Sequence, residues 1–363
     1  MKIDLIAGAR PNFMKIAPII DAIKVEQSKG EKIEYRLVHT GQHYDKKMSG
    51  SFFEELGIPL PDVNLNAGSG TQAEQTAKIM MGYEMLLKKE PTDFCMVVGD
   101  VTSTMACSIV AKKTNIKVIH VEGGIRSWDL TMPEEINRIV TDSITDYFFT
   151  TSKTANKNLL NNGILKNKIF FVGNTMIDTL LKHSPNFKKP AIWNKVGLSE
   201  DNYIVITFHR PSNVDEQSIL QELLAEIVKN SKNIPIIFPV HPRTAKQLGN
   251  INLEYPNLYK IEPLGYLEFN YLVKRAKAVI TDSGGITEET TVMNIPCMTL
   301  RNSTERPETI ELGTNVLLGV DPKAIGPAMN NLFNGNWKNG KIPPLWDGQT
   351  STRIVKHLLN LSP

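Results

Sequence analysis

One theme governs this chain. A short apolar run of strand length ends in a small polar turn, and a stretch of helical periodicity follows. Residues 2–7 lead into Gly8-Ala9-Arg10-Pro11 and an amphipathic segment over 13–24. The run 35–39 ends at Thr40-Gly41-Gln42-His43, and 94–98 ends at Gly99-Asp100, with a helix predicted over 103–112. The run 117–121 ends at Glu122-Gly123-Gly124, and 147–151 is a further short run. Strands alternating with helices imply βαβ units and a parallel sheet.

The theme then restarts. Residues 203–207 end at His209-Arg210, and a helix over 218–229 precedes the run 234–240, which ends at His241-Pro242-Arg243. Residues 257–261 end at Glu262-Pro263-Leu264-Gly265, 278–281 at Asp282-Ser283-Gly284-Gly285, and 296–300 at Arg301. Two such series in 363 residues predict two α/β domains, each a doubly wound sheet with its own core. The hinge is expected between about Gly173 and Asn202, near Pro185 and Pro190, which gives domains 1–173 and 174–349.

Composition narrows the function classes. Hydrophobic residues at 41% and charged residues at 22% are ordinary globular usage. The 41 Lys and Arg against 38 Asp and Glu leave a charge of +3, too mild to argue for nucleic acid or an anionic membrane as partner. Cys95, Cys107 and Cys297 are odd in number and far apart, neither a disulfide framework nor a zinc pattern, which points to a reducing cytoplasm. Asp4 interrupts the first apolar run, unlike a secretory signal, and no run approaches the roughly 20 residues of a membrane span.

Doubly wound sheets bind ligands at the carboxyl ends of their strands. Arg10, Gln42, Asp100, Glu122, His209, His241, Ser283 and Arg301 all fall at such ends. Asp282-Ser283-Gly284-Gly285 before a helix is either a tight turn or a phosphate cradle, glycines letting an anion reach free N–H groups. No Gly-Lys-Ser/Thr follows it and no GxGxxG is present, so Walker and nicotinamide sites are disfavoured. Glu288 and Glu289, placed in the first turn of that helix, either complement its dipole or clamp a ribose. Arg10, with Lys15 nearby, suits a diphosphate or a surface salt bridge. Asp100, Glu122 and Glu134 are the acid/base candidates; the plainer reading of Glu134 is a helix-start carboxylate paired with Arg138. His209-Arg210 and His241-Pro242-Arg243 suggest anion contacts, and the histidine spacing suggests no metal site.

These segments occur in order with Pro133-Glu134-Glu135-Ile136-Asn137-Arg138, Gly173-Asn174 and Thr304-Glu305-Arg306-Pro307-Glu308. Together they resemble the non-hydrolysing UDP-N-acetylglucosamine 2-epimerases over residues 8–308. The resemblance implies a GT-B architecture, two Rossmann-like domains facing a central cleft. It also implies a C-terminal helix within residues 350–363, centred on 353–361, that packs back on the first domain. The implied activity interconverts UDP-GlcNAc and UDP-ManNAc in a cytoplasmic homodimer that needs neither metal nor nicotinamide, and it serves polysaccharide synthesis.

Asp100, Glu122 and Glu134 match the family's catalytic carboxylates, and His209 its catalytic-site histidine. Arg10, Lys15, Ser283, Gly284, Gly285, Glu289 and Arg306 match nucleotide contacts. Leu264 and Tyr266 match the segment that reads uracil, and His241 matches a position near the diphosphate. Gln42 matches a family site for a second, activating UDP-GlcNAc, although Asp45 stands at that segment's later position. Where the family often reads Gly-Thr-Arg-Pro-Glu, this chain has Ala9 and Asn12. A hydrolysing epimerase, a GT-B glycosyltransferase and a non-catalytic UDP-sugar binder remain as alternatives.

Overall fold

The computed structural model describes residues 1–41, 53, 55–249 and 255–361. The chain divides into two compact units, Met1–Lys182 with Pro344–Pro363, and His183–Pro343. The first crossing falls later than the Gly173 boundary, because helix Thr175–His183 continues on the first unit: Thr179 Oγ1 donates to the Met14 carbonyl at 2.6 Å.

In the first unit the strands are β1 (Lys2–Ala7), β2 (Glu34–His39), β3 (Val63–Asn64), β4 (Phe94–Val98), β5 (Lys117–Val121), β6 (Tyr147–Thr150) and β7 (Ile169–Phe171). Their order is β3-β2-β1-β4-β5-β6-β7, and every pairing is parallel. The second unit contains β8 (Ile204–Thr207), β9 (Ile236–Pro239), β10 (Leu258–Ile261), β11 (Ala278–Thr281), β12 (Cys297–Thr299) and β13 (Asn315–Leu317). Its order is β10-β9-β8-β11-β12-β13, again parallel throughout.

Both sheets are doubly wound, and each reverses its winding once, between β1 and β4 in the first and between β8 and β11 in the second. At that reversal the helices that follow the two central strands leave toward opposite faces, and a crevice opens beyond the strand ends. Central strands such as β4 and β9 are buried along their whole length, which explains their unbroken apolar runs. The segment Pro344–Pro363 returns to the first unit, where Trp346 is buried with Nε1 donating to the Thr151 carbonyl at 3.0 Å.

Candidate active site

The first unit's crevice is closed at its base by Asn12, at the start of helix Arg10–Ser28. Its Oδ1 accepts from the Gly8 and Ala9 N–H groups at 3.2 and 2.9 Å, and its Nδ2 donates to the Val98 carbonyl at 2.8 Å. One side chain thus ties the end of β1 to the end of β4. Arg10 sits exposed at the helix start. Lys15, expected on a diphosphate, instead places its ammonium on the Glu122 carboxylate, and both side chains are largely buried.

Asp100 and Glu122 follow the neighbouring strands β4 and β5. Asp100 is held twice from helix Pro133–Ile144: Arg138 Nη1 donates to its carboxylate, and Asn137 Nδ2 donates to its carbonyl at 2.9 Å. The expected Glu134–Arg138 pairing is not what forms. Arg138 bonds the buried Glu135, Nε to Oε2 at 2.7 Å, and Glu134 is exposed. The reason is geometric, because Arg138 faces the sheet with Glu135, one helical turn back, while Glu134 points away from it. Glu134 lines a cavity of about 150 Å³ with Ala9, Gln72 and Asn137. Gln42 lies outside the described residues.

In the second unit the crevice residues converge as well. His209, His241, Leu264 and Ser283 line one cavity of about 340 Å³, and the two imidazole centroids are 5.8 Å apart. Asp282 is fully buried beneath them. It accepts the His209 and Arg210 backbone N–H groups at 3.0 and 2.9 Å, accepts Asn213 Nδ2 at 3.1 Å, and lies 2.7 Å from His209 Nδ1. Burial alone would raise its carboxyl, but the His209 hydrogen bond and charge, with the two backbone donors, hold it below the ordinary range. With Nδ1 so engaged, the orientation of the His209 ring is fixed and Nε2 is the nitrogen left to meet a ligand.

Gly284 and Gly285 open helix Gly284–Met293 behind Ser283, whose side chain makes no cap. A Cβ at Gly285 would meet nothing within 4 Å, so no protein neighbour requires that glycine. Open space above free helix N–H groups is what an anion needs. Because the helix begins at Gly284, Glu288 and Glu289 fall in its second turn, not its first, and the dipole reading lapses. Glu288 pairs with Arg306 Nε instead, and Glu289 accepts from the Tyr266 hydroxyl at 2.8 Å. Burial pushes the Glu289 carboxyl up to about 7.

The family model described as UDP-N-acetylglucosamine 2-epimerase matches residues 25–359. The chain belongs to that family. The UDP-N-acetylglucosamine 2-epimerase of Methanocaldococcus jannaschii is 42% identical over 371 residues, covering 99% of each chain. A crystal structure of the enzyme from that organism with UDP-GlcNAc and UDP superposes with a TM-score of 0.87 at 41% identity, covering 99% of this chain and all of the other. The UDP-2,3-diacetamido-2,3-dideoxy-D-glucuronate 2-epimerase of Pseudomonas aeruginosa is 37% identical, covering 99% of this chain and 100% of its own.

Sequence reasoning did not single out Asp282 as a site residue, nor the way Arg138 grips Asp100. Asp282 opens the Asp282-Ser283-Gly284-Gly285 turn, and its signal is a carboxylate directly after an apolar strand. Arg138 was visible only as a neighbour of Glu134, since Asp100, the site carboxylate that it grips, is 38 residues away.

Proposed function

We propose that this protein interconverts UDP-GlcNAc and UDP-ManNAc by the non-hydrolysing route. The observation that carries this reading is the character of the two crevices. One holds carboxylates seated on cations, and the other holds an open helix N-terminus beside an oriented histidine. The C2 hydrogen of the sugar is acidified by no carbonyl, so direct deprotonation is too slow. Breaking the C1–O bond to UDP first gives C1 oxocarbenium character and makes the C2 proton removable. Loss of that proton leaves 2-acetamidoglucal and UDP. Re-addition of UDP at C1, with a proton delivered to the opposite face of C2, completes the inversion.

Each demand has a candidate group. Ser283, Gly284, Gly285, His209, His241, Arg10 and Arg306 stabilise the departing diphosphate. Leu264, Tyr266 and Glu289 hold the nucleoside. Asp100 and Glu122, each paired with a cation, Arg138 and Lys15, are the candidates for the base. Glu134, exposed at its helix start, is the third proton-transfer candidate.

The reading extends to a homodimer. Met81 and Met85 are each 65% exposed on helix Gln72–Lys89, and Ile136 and Ile139 are 48% and 40% exposed on Pro133–Ile144. Exposed apolar side chains on these helices suit burial against a second copy of the chain. The three cysteines are buried thiols, in keeping with a cytoplasmic setting.

Incubation with UDP-GlcNAc in deuterated water is the test. Deuterium at C2 together with the manno epimer is expected. Free N-acetylmannosamine and UDP would move the protein to the hydrolysing class, and absence of C2 exchange would reject epimerisation. A panel of UDP-sugars, including 2,3-diacetamido uronates, then fixes the substrate.

A further inference from the structure

A buried ionic cluster beneath the first unit's carboxylates has no part in the chemistry above. His120, on β5, is fully buried. Its Nε2 lies 2.8 Å from the Gly99 carbonyl and its Nδ1 lies 2.7 Å from Asp142 Oδ1. A carbonyl only accepts, so Nε2 carries its hydrogen and donates to Gly99. Asp142 Oδ2 in turn accepts the Gly124 N–H at 3.0 Å and meets Arg126 Nη1 at 2.6 Å. Burial works against an ionised Asp142, yet the hydrogen bond and charge of His120, with Arg126, hold its carboxyl below the ordinary range.

Groups of this kind are costly to bury unless each is paired and hydrogen-bonded, as these are. What this cluster grips is the backbone on either side of the two proposed proton-transfer groups. Gly99 is held at both of its peptide groups by β5. Its N–H donates to the Val121 carbonyl at 3.0 Å, and its carbonyl takes the His120 hydrogen. Asp100 is the next residue. On the other side, Glu122 has φ +69°, in the left-handed region that a non-glycine residue rarely adopts. Such a conformation persists only where the surroundings over-determine it. The Glu122 N–H donates to the Phe149 carbonyl at 2.9 Å, and the Gly124 N–H two residues on is fixed by Asp142. Space beneath the turn is fully used, since a Cβ at Gly123 would lie 2.7 Å from Phe148 and 3.3 Å from His120 Nδ1.

We infer that His120 is a positioning residue, its Nε2–H bond to the Gly99 carbonyl setting Asp100 against Glu122 for proton transfer at C2. This rests on the epimerase reading. Asp142 and Arg126 anchor the ring from behind.

Two amide variants separate positioning from packing. In His120→Gln the terminal N–H reaches where Nε2 was, which keeps the bond to Gly99 and gives up the one to Asp142. In His120→Asn the amide reaches only where Nδ1 was, which keeps Asp142 paired and abandons Gly99. The two roles therefore predict opposite rankings. Stability should favour Asn, which leaves the buried carboxylate a partner. The kcat for C2 exchange should favour Gln, with His120→Gln within about fivefold of wild type and His120→Asn down about thirtyfold or more, on the scale of a lost orienting contact. KM should stay within about twofold in both, because the bonds of His120 go to Gly99 and Asp142 and not to any group proposed to hold UDP.

Wild type, His120→Gln and His120→Asn are compared for melting temperature, kcat and KM in deuterated water. If kcat follows melting temperature, with Asn above Gln, the imidazole serves packing and the inference fails. It also fails if both variants turn over within twofold of wild type, or if neither folds. Absence of exchange in the wild type itself would remove the epimerase reading and this one with it, a result distinguishable from any difference between variants.

Discussion

Glu289 has to be paid for in stability. Its carboxyl rises from the ordinary 4.5 to about 7 because burial outweighs the Tyr266 hydroxyl and the charge of Glu288 adds to the rise. Between those values the unfolded chain has released the proton and the folded chain has not. The folded state then binds more protons, so stability falls as pH rises through the window, and the penalty is complete above about 7. Glu289→Gln removes it. Urea midpoints should show the variant more stable than wild type at about pH 8, by at most ~3 kcal/mol, and equal to it near pH 4. A variant less stable at the higher pH would mean that the carboxylate contributes more as Tyr266's acceptor than its burial costs. Arg138 presents the opposite case. It serves the fully buried Glu135, Asp100, and Ser127 Oγ at 3.1 Å. Arg138→Met strands a buried carboxylate and should cost about 3–5 kcal/mol in denaturant titration, besides freeing Asp100. A folded variant of wild-type stability would show that the Ser127 and Trp128 donors to Glu135 suffice without the cation.

Among elements, helix Thr350–Leu358 depends on a residue far from it in the chain. Gln349, at its N-terminal boundary, makes no side-chain cap, and Asp178 accepts the Thr350 and Ser351 N–H groups at 3.1 and 2.7 Å. Nearby, Gly173 has φ +106°, and a Cβ there would sit 2.1 Å from the Leu345 carbonyl oxygen. Asp178→Ala should cost about 1–2 kcal/mol in the urea midpoint, the worth of a cap, and hydrogen exchange should quicken first in residues 350–358. Uniform exchange across the unit would show that the helix is not the element that loosens. The strands that the sequence pattern located best, β1, β4, β5 and β11, are central or next to central and stop at polar turns, so both run and boundary were visible. β3, β7 and β13 went unread because two or three residues at a sheet flank carry no pattern. Helix Gln72–Lys89 was missed for a related reason: only Val63–Asn64 stands before it as a strand. At the site, residues announced by a strand end or motif were legible. Their partners were not, since the Lys15–Glu122, Arg138–Asp100 and His209–Asp282 pairings are made by the fold across long stretches of sequence.

For the molecule as a whole, the two units divide the proposed labour, and the division can be measured. Each has its own sheet, core and winding reversal. If the diphosphate is gripped by Ser283, Gly284, Gly285 and His209, UDP stabilises the second unit directly and the first only through linkage. At a free concentration one hundred times its dissociation constant, UDP should add about 2.7 kcal/mol to the unit that binds it. In calorimetry that gain should appear in the wild type and persist in Asp100→Asn, whose altered group does not hold nucleotide, while C2 exchange falls. It should vanish in Gly285→Asp. Outside its own helix and chain neighbours, a Cβ there would meet nothing within 4 Å, so the new side chain starts into open space, with its charge placed where the anion would sit. Loss of UDP stabilisation in Asp100→Asn would mean that nucleotide grip is shared with the acidic crevice. Retention in Gly285→Asp would move the diphosphate away from the helix N-terminus altogether. The paired outcome, binding without chemistry in one variant and chemistry lost through binding in the other, is what an enzyme that first releases UDP from C1 and then handles the C2 proton requires.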